Sequence, residues 1–239
     1  MTSKKVIELF YDVVSPYSWL AFEVMCRYRT VWNIDLKLRP AFLGGVMKGS
    51  VKLCLTVTGN KPPGLVPKKF LWMNHDLARL AVYFNVPLRP PSDPAEAMFR
   101  KGSLNAMRFV KAVQEKEMGG DQQVEKVSRE LWRRIWSEDK DITEPASLAE
   151  AAQKAGLGSS EIEELQKLCT TPEIKDKLKS STQEALEYGA FGFPVMVCHI
   201  NGKAETFFGS DRFEVMAHCL GEKWLGPQPA HLERSFAKL

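Results

Sequence analysis

The chain has 239 residues, of which 44% are hydrophobic and 26% charged. This composition excludes a wholly disordered, collagen-like or low-complexity chain, and no apolar run reaches the ~18 residues of a membrane helix. The 33 Lys and Arg against 29 Asp and Glu leave a net charge of +4. That excess is scattered rather than gathered into the basic stripe of a nucleic-acid binder.

The apolar run Val6 to Tyr11 reads as a buried strand. Asp12-Val13-Val14-Ser15-Pro16 breaks it, with Ser15 as a helix N-cap and Pro16 as the first helical residue. Trp19, Phe22, Glu23, Cys26 and Arg27 follow at helical spacing. Asp35 to Pro40 alternates as a half-exposed strand and stops at proline. From about residue 65 to 188 the pattern is almost all helical. Gly102-Ser103 opens one helix, and Val124, Val127, Leu131, Ile135 and Trp136 mark another, with Arg129, Arg133 and Arg134 read as its solvated face. Ser147-Leu148-Ala149-Glu150 resembles a capping box, and Thr171-Pro172 starts a last long helix. Pro194 to Ile200 is again a strand, Asn201-Gly202 a hairpin turn and Glu205 to Phe208 the return strand. Gly209-Ser210-Asp211-Arg212 then opens a helix with Phe213, Val215, Met216, Cys219 and Leu220 as its apolar positions.

A βαβ segment, a helical block and a ββα segment predict an α/β fold. It is a thioredoxin-like domain from 1–64 and 186–239 with a large inserted all-helical domain at 65–185. The five cysteines (Cys26, Cys54, Cys169, Cys198, Cys219) make no C-x-x-C and no zinc spacing. They read as free, mostly buried small hydrophobes of a reducing interior. No metal site is expected.

In such a fold the N-terminus of the first helix is an anion-friendly position. Here it carries Ser15-Pro16-Tyr17-Ser18, with no thiol for disulfide exchange. Ser15 is either a plain N-cap or a hydroxyl that donates to a thiolate brought by a ligand. A thiol near ~8.5 needs roughly 2.7 kcal/mol to be lowered by ~2 units, which a charge-assisted hydrogen bond plus the helix dipole can supply. Pro194, at the start of a strand, is either a plain boundary or a cis proline that leaves the Phe193 backbone open to an extended peptide. Ser210-Asp211 is either a cap or a binder of a carboxylate and an ammonium.

These elements, taken with several longer motifs, resemble a kappa-class glutathione transferase over nearly the whole chain. The motifs are Glu8-Leu9-Phe10-Tyr11-Asp12-Val13, Ser15-Pro16-Tyr17-Ser18-Trp19, Gly59-Asn60-Lys61-Pro62-Pro63 and Lys101-Gly102-Ser103. With them come Asn105-Ala106-Met107-Arg108-Phe109, Asp141-Ile142-Thr143-Glu144, Tyr188-Gly189-Ala190-Phe191-Gly192 and Phe208-Gly209-Ser210-Asp211-Arg212. The resemblance implies a homodimer that conjugates glutathione to small electrophiles such as halogenated aromatics, or reduces lipid peroxides. Glutathione would be the co-substrate, with no further cofactor. Ser15 would hold the thiolate, with Pro16 and Tyr17 beside the sulfur. Asn60 and Lys69 would meet the glycyl end. Phe193, before a cis Pro194, would pair with the cysteinyl part, and Ser210, Asp211 and Arg212 would bind the γ-glutamyl group. Phe193 stands where the family typically has leucine, a tolerable change because the backbone makes the contact. The run Val51 to Thr58 is an insertion of about eight residues relative to the family; it reads either as a short extra strand or as an exposed apolar liability, and it bears on the placement of Asn60 and, less, of Lys69.

Two other functions share this fold: a glutathione-dependent isomerase of the 2-hydroxychromene-2-carboxylate type, and a non-catalytic thiol-binding partner protein. Ala237-Lys238-Leu239 is a close variant of the Ser-Lys-Leu address read by the peroxisomal import receptor. It predicts a peroxisomal protein, and the family is also associated with mitochondria. No secretory leader is expected.

Overall fold

The computed structural model describes residues 4–52, 62–117 and 120–229. Strand β1 (Lys5–Tyr11) runs parallel to β2 (Ile34–Pro40) and antiparallel to β3 (Val195–Ile200). β3 pairs antiparallel with β4 (Lys203–Phe208), so the order is β2–β1–β3–β4. Helix α1 (Pro16–Val31) makes the parallel crossover, as a βαβ unit requires. Asn201 and Gly202, with φ of 50° and 78°, form the tight turn between β3 and β4.

Alternation puts the two faces of β1 in different surroundings. Ile7, Leu9 and Tyr11 pack with Leu36, Leu38, Met196 and the α1 residues Phe22 and Met25. Phe10 points to the other face, with Ala41, Val46, Ala185, Val195 and Val197. That second face is covered by α2 (Leu43–Lys52) and α8 (Pro172–Glu187). Between them in sequence come α3 (Pro67–Phe84), a π-helical turn (Glu96–Lys101), α4 (Leu104–Lys116), α5 (Gln122–Trp136), α6 (Pro145–Lys154) and α7 (Ser159–Leu168). α9 (Phe213–Leu220) closes the described elements. Among the described residues no helix is long and apolar enough to cross a membrane.

α5 is joined directly to the start of α1. The Trp132 indole N–H donates to the Ser15 carbonyl at 3.2 Å, and the Tyr11 and Ser128 hydroxyls are 2.7 Å apart. Trp132 also lies edge-on to Phe22, ring centroids 4.8 Å apart, and parallel to Trp19. This aromatic group fixes the floor beneath the first turn of α1.

Several readings of the sequence need correction. Of the three α5 arginines only Arg133 is exposed. Arg129 pairs with Glu23 at 2.7 Å and Glu125 at 3.0 Å and lies over the Phe22 ring. Arg134 is 4% exposed; its Nε donates to the Asp141 carbonyl and its guanidinium pairs with Glu150. The helix at Ser147 begins earlier, at Pro145, because the Asp141 carboxylate takes the Thr143 and Glu144 N–H groups and turns the chain there. The last helix begins at Phe213 with Arg212 at its cap, and Val215 and Cys219 lie on its exposed side. Of the described cysteines only Cys198 is fully buried; Cys54 lies outside the described residues. Val51 and Lys52 end helix α2 rather than entering a strand, and the remainder of that run, 53–58, lies outside the described residues.

Candidate active site

Ser15 caps α1 as its sequence context predicts, with extended φ and ψ of −88° and 117° and Pro16 at the first helical position. Its Oγ accepts the Ser18 N–H at 3.1 Å and donates to the Phe193 carbonyl at 3.2 Å. The first turn of α1 carries no Asp or Glu of its own. Ser15 is 4% exposed, its hydroxyl enclosed between the helix start and the 190–194 loop.

The Phe193–Pro194 peptide bond is cis, as expected. The Pro194 carbonyl accepts the Gly209 N–H at 3.0 Å, which ties the Phe193 strand entrance to the bend that carries Ser210, Asp211 and Arg212. Gly209 has φ of +99°, and a Cβ there would stand 2.7 Å from an Asp211 carboxylate oxygen. Glycine is therefore needed both for the backbone conformation and for the close approach of Asp211. Ser210 is buried, while Asp211 and Arg212 are exposed and pair at 3.2 Å. All three precede α9, so they sit in a bend rather than in a helical turn.

Pro16 is buried, and Tyr17 is half-buried on the first turn of α1. The Tyr17 hydroxyl donates to Asp76 on α3 at 3.2 Å. Burial, then the Asp76 carboxylate, holds this phenol well above its ordinary pKa, and the Asp211 charge adds to the effect. Tyr17 thus stays protonated and lies between α3 and the Asp211 bend. Lys69 is exposed in the first turn of α3. It precedes Asp76 by two helical turns, about 10 Å along the axis. Asn60 lies outside the described residues. Ser15, Pro16, Phe193 and Pro194 therefore converge at one junction. Tyr17 connects it to α3, and Ser210, Asp211 and Arg212 adjoin it through Gly209.

Two residues beside this junction were missed. Asp12 was read only as a strand breaker, yet it is fully buried and gathers three donors: Val14 N–H at 3.0 Å, Leu43 N–H at 2.8 Å and the Ser103 hydroxyl at 2.9 Å. Burial pushes its carboxyl up to about 6, against the pull of those three bonds. Asp76 carried no sequence signal beyond a polar position on a helix. The available signal for Asp12 was an acidic residue directly after a buried strand and three places before the Ser-Pro helix start.

The DSBA-like thioredoxin domain family matches residues 6–221. Glutathione S-transferase kappa 1 of Homo sapiens is 49% identical over 225 residues, which is 94% of this chain and 95% of that protein. The Rattus norvegicus protein of the same name is 49% identical over 228 residues, 95% of this chain and 96% of its own length. Among solved structures, a 2-hydroxychromene-2-carboxylate isomerase superposes with a TM-score of 0.71 at 18% identity, covering 98% of both chains. That last likeness concerns the fold alone.

Proposed function

We propose a function from the chain's family: it belongs to the DSBA-like thioredoxin family and, within it, to the kappa-class glutathione transferases. It is a glutathione transferase. The observation that carries our fuller reading is the Ser15 hydroxyl, suspended at the N-terminus of α1 between Ser18 N–H and the Phe193 carbonyl. A glutathione sulfur arriving at that helix start accepts the Ser15 hydroxyl's hydrogen bond in place of the carbonyl, and its own proton leaves to solvent. The Ser18 N–H bond persists and keeps the Ser15 oxygen in place. A neutral hydrogen bond of about 1 kcal/mol is exchanged for a charge-assisted one roughly twice as strong. The helix start adds ~0.3–1 kcal/mol. The exchange nets about 1 kcal/mol, so together these give about 1–2 kcal/mol, enough to lower the bound thiol by about one pH unit and to ionise a substantial part of it at neutral pH.

In this reading Pro16 and the protonated Tyr17 wall the sulfur, and the Phe193 backbone pairs with the cysteinyl unit. Ser210 and the Asp211 carboxylate take the carboxylate and ammonium of the γ-glutamyl end, assisted by Arg212. Lys69, with Asn60, meets the glycyl carboxylate. The thiolate attacks the carbon of a halogenated aromatic and the halide leaves; lipid peroxides are a second substrate class. We assign the protein to the peroxisome through Ala237-Lys238-Leu239, with mitochondria as a second location, and expect a homodimer of the 27.0 kDa chain.

The test is the rate of glutathione conjugation to 1-chloro-2,4-dinitrobenzene by the wild type and Ser15→Ala across neutral pH. Losing the Ser15 share, about 1 kcal/mol of thiolate stabilisation, predicts a fall of about fivefold at the acidic end. The gap should narrow as free glutathione ionises toward its own pKa. Equal rates for the two proteins at every pH would refute the role of Ser15.

A further inference from the structure

We propose that Asp12 is a positioning residue of the Ser15 site, its buried carboxylate fixing the turn that presents the Ser15 hydroxyl and the first N–H groups of α1. The inference rests on the thiolate reading above. Every backbone N–H of residues 13–15 is committed. Val13 N–H points to the Met107 sulfur at 3.4 Å, Val14 N–H to Asp12 Oδ1 at 3.0 Å, and Ser15 N–H to the Asp12 carbonyl at 3.0 Å. Two of these three bonds end on Asp12.

Its other oxygen fastens that turn to two distant elements. Asp12 Oδ2 accepts Leu43 N–H at the start of α2 and the Ser103 hydroxyl at the cap of α4. Ser103 makes no side-chain bond to its own helix, although serine at that position ordinarily does. Its proton goes to Asp12 instead. A charge this deeply buried, stabilised by hydrogen-bond donors alone, is costly to the fold. An apolar side chain would remove that cost but, even with Ser103 recapping α4, would leave Val14 N–H and Leu43 N–H without their acceptor. What an apolar residue cannot do is collect three donors from three segments onto one rigid point, three residues before the reacting hydroxyl.

The substitution Asp12→Asn keeps the shape, but one of its two polar atoms becomes an –NH2 facing a donor. The experiment measures the ultraviolet absorbance of bound glutathione thiolate against pH, with steady-state kinetics and thermal melting. It uses wild type, Asp12→Asn and Ser103→Ala. In Asp12→Asn the bound thiol should titrate about one pH unit higher, and kcat near neutral pH, where Asp12 is ionised, should fall about fivefold. The KM for glutathione should move less than about threefold, because the γ-glutamyl and glycyl contacts are untouched. Ser103→Ala, which removes one donor and leaves the turn's own bonds intact, should move the same two readouts in the same direction by about threefold.

Removing a negative charge near the sulfur would by itself ease thiol ionisation. A thiol that titrates lower in Asp12→Asn would therefore overturn positioning in favour of simple charge. Variants that melt earlier but titrate and turn over like wild type would reduce Asp12 to a structural residue, and Ser103→Ala decides alone if Asp12→Asn does not fold. A wild type with no thiolate absorbance would instead refute the reading of Ser15 itself.

Discussion

Replacing Asp12 by asparagine should change how stability depends on pH, in a direction opposite to that of most carboxylates. Burial raises the Asp12 carboxyl from its ordinary 3.8 to about 6. Between those values the native protein holds a proton that the unfolded chain has released. Where the unfolded state binds fewer protons, stability falls as pH rises. The contribution of Asp12 is thus fully present below about 3.8 and is lost as pH climbs through about 6. The gap, at about 1.36 kcal/mol per pH unit, is worth about 3 kcal/mol. No discount for solvent screening applies, because the residue is 0% exposed. Asparagine has nearly the same shape and does not titrate, so the wild type minus variant difference isolates the term. Urea unfolding of both proteins from about pH 3 to about pH 8 should show that difference falling by about 3 kcal/mol at unchanged m. A constant difference, or a wild type that gains on the variant as pH rises, would refute the reasoning. It would mean that the three donors outweigh desolvation.

Two further substitutions probe the surroundings of the site. Gly209→Ala places a Cβ at φ +99° and 2.7 Å from the Asp211 carboxylate, so it should cost about 1–2 kcal/mol and raise the KM for glutathione severalfold. An unchanged KM in a folded variant would show that Asp211 is not held in place by this bend. Trp132→Phe removes the indole donor to the Ser15 carbonyl and part of a fully buried ring. It should lower unfolding free energy by about 2–3 kcal/mol in a urea titration, and a loss under about 0.5 kcal/mol would discount α5 as the floor of the site.

The elements legible in the sequence were those whose ends are determined by local chemistry. Ser15-Pro16 and Thr171-Pro172 start helices, and Asn201-Gly202 turns a hairpin, because caps, prolines and positive φ act within a few residues. Helix α2 escaped notice because it carries Gly44, Gly45 and Gly49, which weaken any helical pattern. The reason for two of them is tertiary: a Cβ at Gly45 would meet Thr182 at 2.9 Å and one at Gly49 would meet Leu186 at 2.5 Å, both on α8. Arg129 read as solvent-facing because its partner Glu23 is 106 positions away. Asp12 read as punctuation for the same reason, since Leu43 and Ser103 reach it only in three dimensions. The Ser15 cap could be read locally. Its contact with the Phe193 carbonyl was not legible; the resemblance put both residues on glutathione without joining them.

The two halves of that contact are 178 positions apart. β1 finds its parallel neighbour early, but its other edge stays open until β3, near the far end of the chain, arrives to pair with it. Assembly is therefore ordered. A ribosome-bound chain that has made all the helices up to α8 still has an unpaired strand edge and no thiol site, and non-local pairing of this kind is slow to form. The proposed reaction centre is a seam closed last. A tripeptide seated across it as proposed would touch both sides, so binding should act mainly as a brake on reopening, lengthening the lifetime of the native state more than it hastens its formation.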